Sequence, residues 1–163
     1  MANDDIAVFL ICTALLAMIS VLSLFFLARY MLTIEIMLYF FFSTIFTQNY
    51  FRLTESSFKL FDIIDKIQAY WILKLEYNII LPVLLVWATV YWNGHKYNTV
   101  AFSIILWISI FVGIDFVNDL AGIIDKNSQY FLYSTIFGFL SIISLILFKH
   151  LYQKILKREG LVI

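Results

Sequence analysis

Hydrophobic residues along this chain fall into long runs separated by short polar stretches. The first run, 6–28, contains no carboxylate, Lys, Arg or His, and its polar content is limited to Cys12, Thr13, Ser20 and Ser23. At a rise of about 1.5 Å per residue, a helix of that length crosses a hydrocarbon layer of about 30 Å. Four further runs follow. Run 31–47 carries Glu35 near its start, and run 72–92 has Lys74 and Glu76 in its first turns and Pro82 inside. Run 99–118 is free of charge until Asp115, and run 129–148 until Lys149. The pattern predicts five membrane-spanning helices.

The segment about 50–70 is different. Leu60, Phe61, Ile64, Ile67 and Trp71 recur at helical spacing, while Lys59, Asp62, Asp65 and Lys66 fall elsewhere on the wheel. This spacing predicts an amphipathic helix lying in the membrane interface, with a helical extension of the third span into water as the alternative. Tyr30, Trp71, Tyr91, Trp92, Tyr97, Tyr130 and Tyr152 mark the ends of the runs, where an apolar ring meets a wet headgroup. The links 93–98 and 125–128 are short, so helices three to five are expected as antiparallel neighbours. One Pro, five Gly and no internal repeat leave no place to divide the chain, which reads as a single domain over 1–163.

Composition sharpens this picture. The chain is 63% hydrophobic and 13% charged, against roughly 25% charged in a soluble domain. A soluble fold of 163 residues would lack the polar side chains to cover its outside. A water-soluble enzyme and a disordered tail are excluded, and 11 basic against 11 acidic residues leave no electrostatic footprint for nucleic acid. The fold class is therefore all-α, a polytopic integral membrane protein. Asn3, Asp4 and Asp5 supply no basic region ahead of the first run, which is read as a retained helix and not as a cleaved signal. That acidic start and the basic tail favour a cell-membrane protein with its N-terminus outside and its C-terminus in the cytoplasm.

The polar residues within the runs are the candidates for chemistry. Asp115, Asn118 and Asp119, at i, i+3 and i+4, share one helix face, with Gly122 a turn beyond. A carboxylate at the bilayer centre costs about 2.5–3.5 kcal/mol even on the lenient insertion scale, so it needs a partner or a function. With the fourth span centred near Ser109, Asp115 lies about 9 Å from the midplane and Asp119 about 15 Å, at the interface. Glu35 and Lys74 complete the candidate set. Alternating spans bring Asp115 toward Lys74 or Arg52 and away from Glu35. An ion pair with Lys74 would make Asp115 a structural element; an unpaired Asp115 in a polar pocket would make it a site for a cation, proton or ligand.

Enzyme chemistry finds no support. Asp115 follows Gly113-Ile114 without the GxGD setting or the second mid-span Asp of an aspartyl protease. His95 and His150 lie outside the runs, HExxH is absent, and a lone Cys12 forms no internal disulfide. No metal or cofactor set is expected. Ser109-xxx-Gly113 and Ser134-xxx-Gly138, the latter extended by Ser141, are faces where helices approach closely, within the chain or against a partner. Pro82 is expected to kink the third span and free a backbone carbonyl toward the interior. The block Tyr39-Phe40-Phe41-Phe42 is bulk, and the tail 149–158, with Lys149, Lys154, Lys157 and Arg158, is a basic anchor attracted to anionic lipid.

Trp107, Asp115, Gly122, Lys126, Tyr133-Ser134 and the basic stretch from Lys149 fall in an order that resembles a family of small hydrophobic multi-span proteins of spore-forming Gram-positive bacteria. Gln129 stands where that family has Trp. The resemblance runs over about 35–158 and implies a helical topology and a cell-membrane location, with no activity attached. The expected function is a non-enzymatic multi-pass membrane protein, a structural or accessory subunit of a membrane assembly. It would meet lipid and another membrane protein, or a second copy of itself, through the Ser109/Gly113 and Ser134/Gly138 faces. The alternative is a small transporter or an ion- or proton-binding protein using Asp115 in an intramembrane polar site.

Overall fold

The computed structural model describes residues 3–91, 97–127 and 129–158. Five helical rods make up most of it. These are α1 (Asn3–Leu27), α2 (Thr33–Arg52), a third rod made of α3 (Ile67–Leu75) and α4 (Leu81–Tyr91), α5 (Tyr97–Leu120) and α6 (Tyr130–Arg158). A π-helical turn, Glu76–Ile80, joins α3 to α4, and a second one, Leu53–Ser57, prolongs α2. Three segments are long and apolar enough to cross a membrane, namely Asp5–Leu27, Ile67–Val90 and Tyr130–Ile155. The number of rods matches the expected number of spans, but only those three reach that length and hydropathy among the described residues. In α2 the polar residues Thr44, Thr47, Gln48, Asn49 and Arg52 crowd the last turns and lower its hydropathy. Trp92, His95 and most of the link 93–98 lie outside the described residues.

The expected amphipathic helix over 50–70 does not form. Residues Phe61–Ile63 form a strand, β1, antiparallel to β2 (Ile124–Lys126), with Phe61 opposite Lys126 and Ile63 opposite Ile124. Lys59 adopts a left-handed backbone (φ 48°), which turns the chain out of helix. The Asn127 N–H then donates to the Leu60 carbonyl at 2.8 Å, and the Ile64 N–H to the Ile123 carbonyl at 3.1 Å. Leu60, Phe61, Ile123 and Ile124 are buried beneath the pair, while Asp62 and Asp125 face outward. The apolar residues that mimic a helix wheel are thus divided. Leu60 and Phe61 cap the bundle, and Ile67 and Trp71 are exposed on the first turns of α3.

A Schellman motif sets the position of β2. The Gly122 N–H donates to the Asp119 carbonyl at 2.9 Å and the Ile123 N–H to the Asn118 carbonyl at 2.9 Å, with Gly122 left-handed at φ 60°. The third rod is interrupted by its π-turn just before Pro82. The Leu81 N–H donates five residues back, to the Glu76 carbonyl. In that register position 82 would donate to the Tyr77 carbonyl, but Pro82 has no N–H. The Thr47 hydroxyl of α2 donates to that carbonyl instead, at 2.5 Å. Trp87 Nε1 to Ser23 Oγ (2.8 Å) and Trp107 Nε1 to Ser141 Oγ (3.1 Å) tie α4 to α1 and α5 to α6.

Gly122→Ala is expected to lower stability by about 1–2 kcal/mol, because an L side chain is strained in the left-handed region. Nothing lies within 4 Å of a Cβ added there, so the loss comes from the backbone alone. Thermal unfolding of the purified variant checks this, and an unchanged midpoint would contradict the assigned cap.

Candidate functional site: a buried carboxyl ringed by hydroxyls

At the end of the bundle beneath the β-pair, four rods converge on Asp115. Its carboxyl is buried, at 1% exposure. The Tyr77 hydroxyl donates to Oδ1, and the Ser134 hydroxyl donates to Oδ2. The Tyr50 hydroxyl also donates to Oδ2, at 3.4 Å. Tyr130, equally buried, adjoins the same group. A carboxylate offers about four lone-pair positions and donates nothing, so three hydroxyl donors go most of the way to satisfying it.

Each donor arrives for a local reason. Tyr50 lies in the last turn of α2, and Ser134 in the first turns of α6. The π-turn has one residue more per closed ring than an α-turn, so the inward face shifts, and Glu76 and Tyr77 are buried side by side. Aromatic rings exclude water around them. The Tyr50 ring lies 5.1 Å from Phe111 and 4.5 Å from Phe137, and Tyr77 lies 5.3 Å from Phe51. Phe61 of the β-pair meets Tyr130 edge-on at 5.3 Å.

A second polar pair extends the site. Asn118 Nδ2 donates to Glu76 Oε2 at 2.6 Å, and both side chains are buried. Asn118 Oδ1 is buried with no hydrogen-bond partner among the described residues. No ion pair joins Glu76 or Asp115 to a cation among the described residues.

Two of the expected site residues, Asp115 and Asn118, are brought together here. The other three are elsewhere. The Lys74 ammonium lies over the rings of Phe51 (5.0 Å) and Tyr70 (5.2 Å), and does not pair with Asp115. Ring faces hold the charge without the desolvation that a buried ion pair demands. Arg52 is exposed and forms no ion pair with Asp115 either. Asp119 pairs with Lys126 at 2.5 Å, with each side chain about a quarter exposed, and contributes about 0–1 kcal/mol. Glu35 accepts from the Leu32 N–H at 3.2 Å and caps the start of α2. It is about 22 Å along the helix from Tyr50.

Glu76, Tyr50, Tyr77 and Tyr130 are missing from the sequence-based set, and Ser134 figures there only as a packing residue. The signal for Tyr77 is present, since a tyrosine inside an apolar run needs a partner for its hydroxyl. Tyr130 is a corrected expectation: it is buried against Asp115 and is not an interfacial ring. A Cβ added at Gly138 would meet Ile108 and Phe111 of α5 at 3.6 and 3.8 Å, so the Ser134/Gly138 face is turned to α5 within the chain.

Asp115→Leu strands the Tyr77 and Ser134 hydroxyls in a dry interior. It is expected to cost more stability than Ser134→Ala, which removes one donor and costs about 1–3 kcal/mol. Unfolding midpoints of the two variants check the order. Equal midpoints, or a Leu variant as stable as the parent, would contradict the hydrogen-bond assignment.

No protein-family model, curated protein or solved structure matches the chain.

Proposed function

We propose that the chain is a non-enzymatic multi-pass protein of the cell membrane, a structural or accessory subunit whose Asp115 centre holds its helices together. The observation that carries this reading is an inverted distribution of polarity. Large apolar side chains face outward on every rod, among them Phe25 (74% exposed), Phe41, Trp71, Ile105 and Leu132, while Asp115, Asn118, Glu76 and Ser134 are buried. In water that arrangement leaves an apolar surface far larger than the few hundred Å² a soluble monomer tolerates; in lipid it is the expected one. All five rods then lie in the bilayer, with α1, the third rod and α6 long and apolar enough to span it and the charged face of the β-pair at its surface.

The subunit role draws on α5. Ser109 is exposed there, and a Cβ added at Gly113 would meet nothing within 4 Å. This small-residue face is left open by the chain itself and admits the backbone of another membrane helix. The rival reading, with Asp115 as the ion- or proton-binding group assisted by Glu35, has less behind it. Three hydroxyls already occupy the Asp115 oxygens, and Glu35 caps a distant helix end.

In a mild detergent the particle is expected to exceed one 19.2 kDa chain plus its micelle. Ser109→Leu, which fills the notch, is expected to reduce the mass toward that of the monomer. Native-detergent mass measurement decides this. A strictly monomeric parent with no co-purifying partner would overturn the subunit role, and a chain that stays dissolved without amphiphile would overturn the membrane reading itself.

A further inference from the structure

A cleft of about 480 Å³ opens between α1 and α5, and the π-turn forms its floor. Its walls are apolar, and Glu76 is the ionisable carboxyl that lines it. Gly113 keeps the cleft wide, because no side chain projects from that position into the free space. Cys12 and Val117 stand exposed at its rim, and the Thr13 hydroxyl on its wall is turned to the Phe9 carbonyl at 2.9 Å. Glu76 Oε2 accepts from Asn118, whereas Oε1 has no hydrogen-bond partner among the described residues. The amide that holds Glu76 carries a second unfilled acceptor, the buried Asn118 Oδ1.

We infer that this cleft is a binding site for an amphiphilic amine, its ammonium on Glu76 and its apolar body between α1 and α5. Charge and shape select that class. An anion would face the Glu76 carboxyl, and no Lys, Arg or His among the described residues lines the cleft to receive it. A plain hydrocarbon tail would leave Glu76 Oε1 dry and unpartnered, which is costly in an apolar interior. Hard metal ions take six or more oxygen ligands, and the cleft walls do not supply them. An ammonium brings three donors and one positive charge to the Glu76 carboxyl, which is the acceptor that lines the cleft and is stabilised in its ionised form by such a partner. The volume falls within the range of about 300–1,000 Å³ usual for small-molecule sites. The exposed rim opens sideways, so that a ligand dissolved in lipid enters without crossing water. The inference rests on the membrane reading above but not on the subunit role. Its failure shows as a loss of binding, whereas failure of the membrane reading shows as solubility without amphiphile.

The test uses the full chain in detergent, with dodecylamine as probe and dodecanol and dodecanoate as controls. Native mass spectrometry is expected to show one dodecylamine retained per chain, at least tenfold more weakly in Glu76→Gln and in Gly113→Leu. The second variant places its side chain in empty space and keeps the test valid if the first fails to fold. Bound dodecylamine is also expected to slow alkylation of Cys12, the single cysteine, by N-ethylmaleimide several-fold, whereas the controls leave the rate unchanged. Equal retention in Gly113→Leu or in folded Glu76→Gln, no retention by the parent chain, or equal protection by dodecanol would each overturn the site.

Discussion

A carboxyl group removed from water must find its hydrogen-bond donors within the fold, and most of this structure follows from how Asp115 does so. Tyr50, Tyr77 and Ser134 reach it from α2, the π-turn and α6. Four rods are therefore fixed in register by one side chain. A buried ion pair would give a similar constraint, but it must recover the desolvation of two charges. Hydroxyls bring donors without a second charge, and their rings close the site to water. The result is a polar centre that is satisfied locally and directional, in a chain whose outer surfaces offer only non-directional packing.

The irregular parts of the backbone serve that centre. Without the π-turn, Glu76 and Tyr77 would not both face inward. Pro82 has no N–H to continue that register to the Tyr77 carbonyl, and Thr47 of α2 supplies the substitute donor. A π-turn inside an apolar helix often marks a functional position, and here it serves two purposes. Tyr77 joins the hub, and Glu76 is left half-committed at the floor of the α1–α5 cleft. The β-pair completes the arrangement, since its short strands bury Phe61 and Ile124 over the hub and present Asp62 and Asp125 on the other face.

The five rods are legible in the sequence because each rests on a local signal, a long apolar run bounded by charge or Gly. Asp115 and Asn118 are legible for a similar reason: polar residues on one helix face inside such a run are conspicuous. The partners of Asp115 are not, because tyrosine is ambiguous by chemistry. The ring suits an interface and the hydroxyl suits a buried carboxyl, and only tertiary contact decides between them, as Tyr130 shows. The strands are hidden for another reason. Phe61 and Lys126 lie far apart in sequence, each strand is three residues long, and the apolar spacing from Leu60 to Trp71 imitates a helix. Lys74 misleads through its length, since a long cationic side chain reaches ring faces as readily as a carboxylate.

The hub is tested most directly by a double-mutant cycle of Asp115→Asn and Tyr77→Phe, read as unfolding free energy in one detergent. If the carboxyl binds the third rod through the Tyr77 hydroxyl, the double variant loses less than the sum of the two single losses. The expected coupling is about 0.5–3 kcal/mol. Losses that add within error would mean that the two side chains stabilise the bundle independently, and the central claim would be wrong.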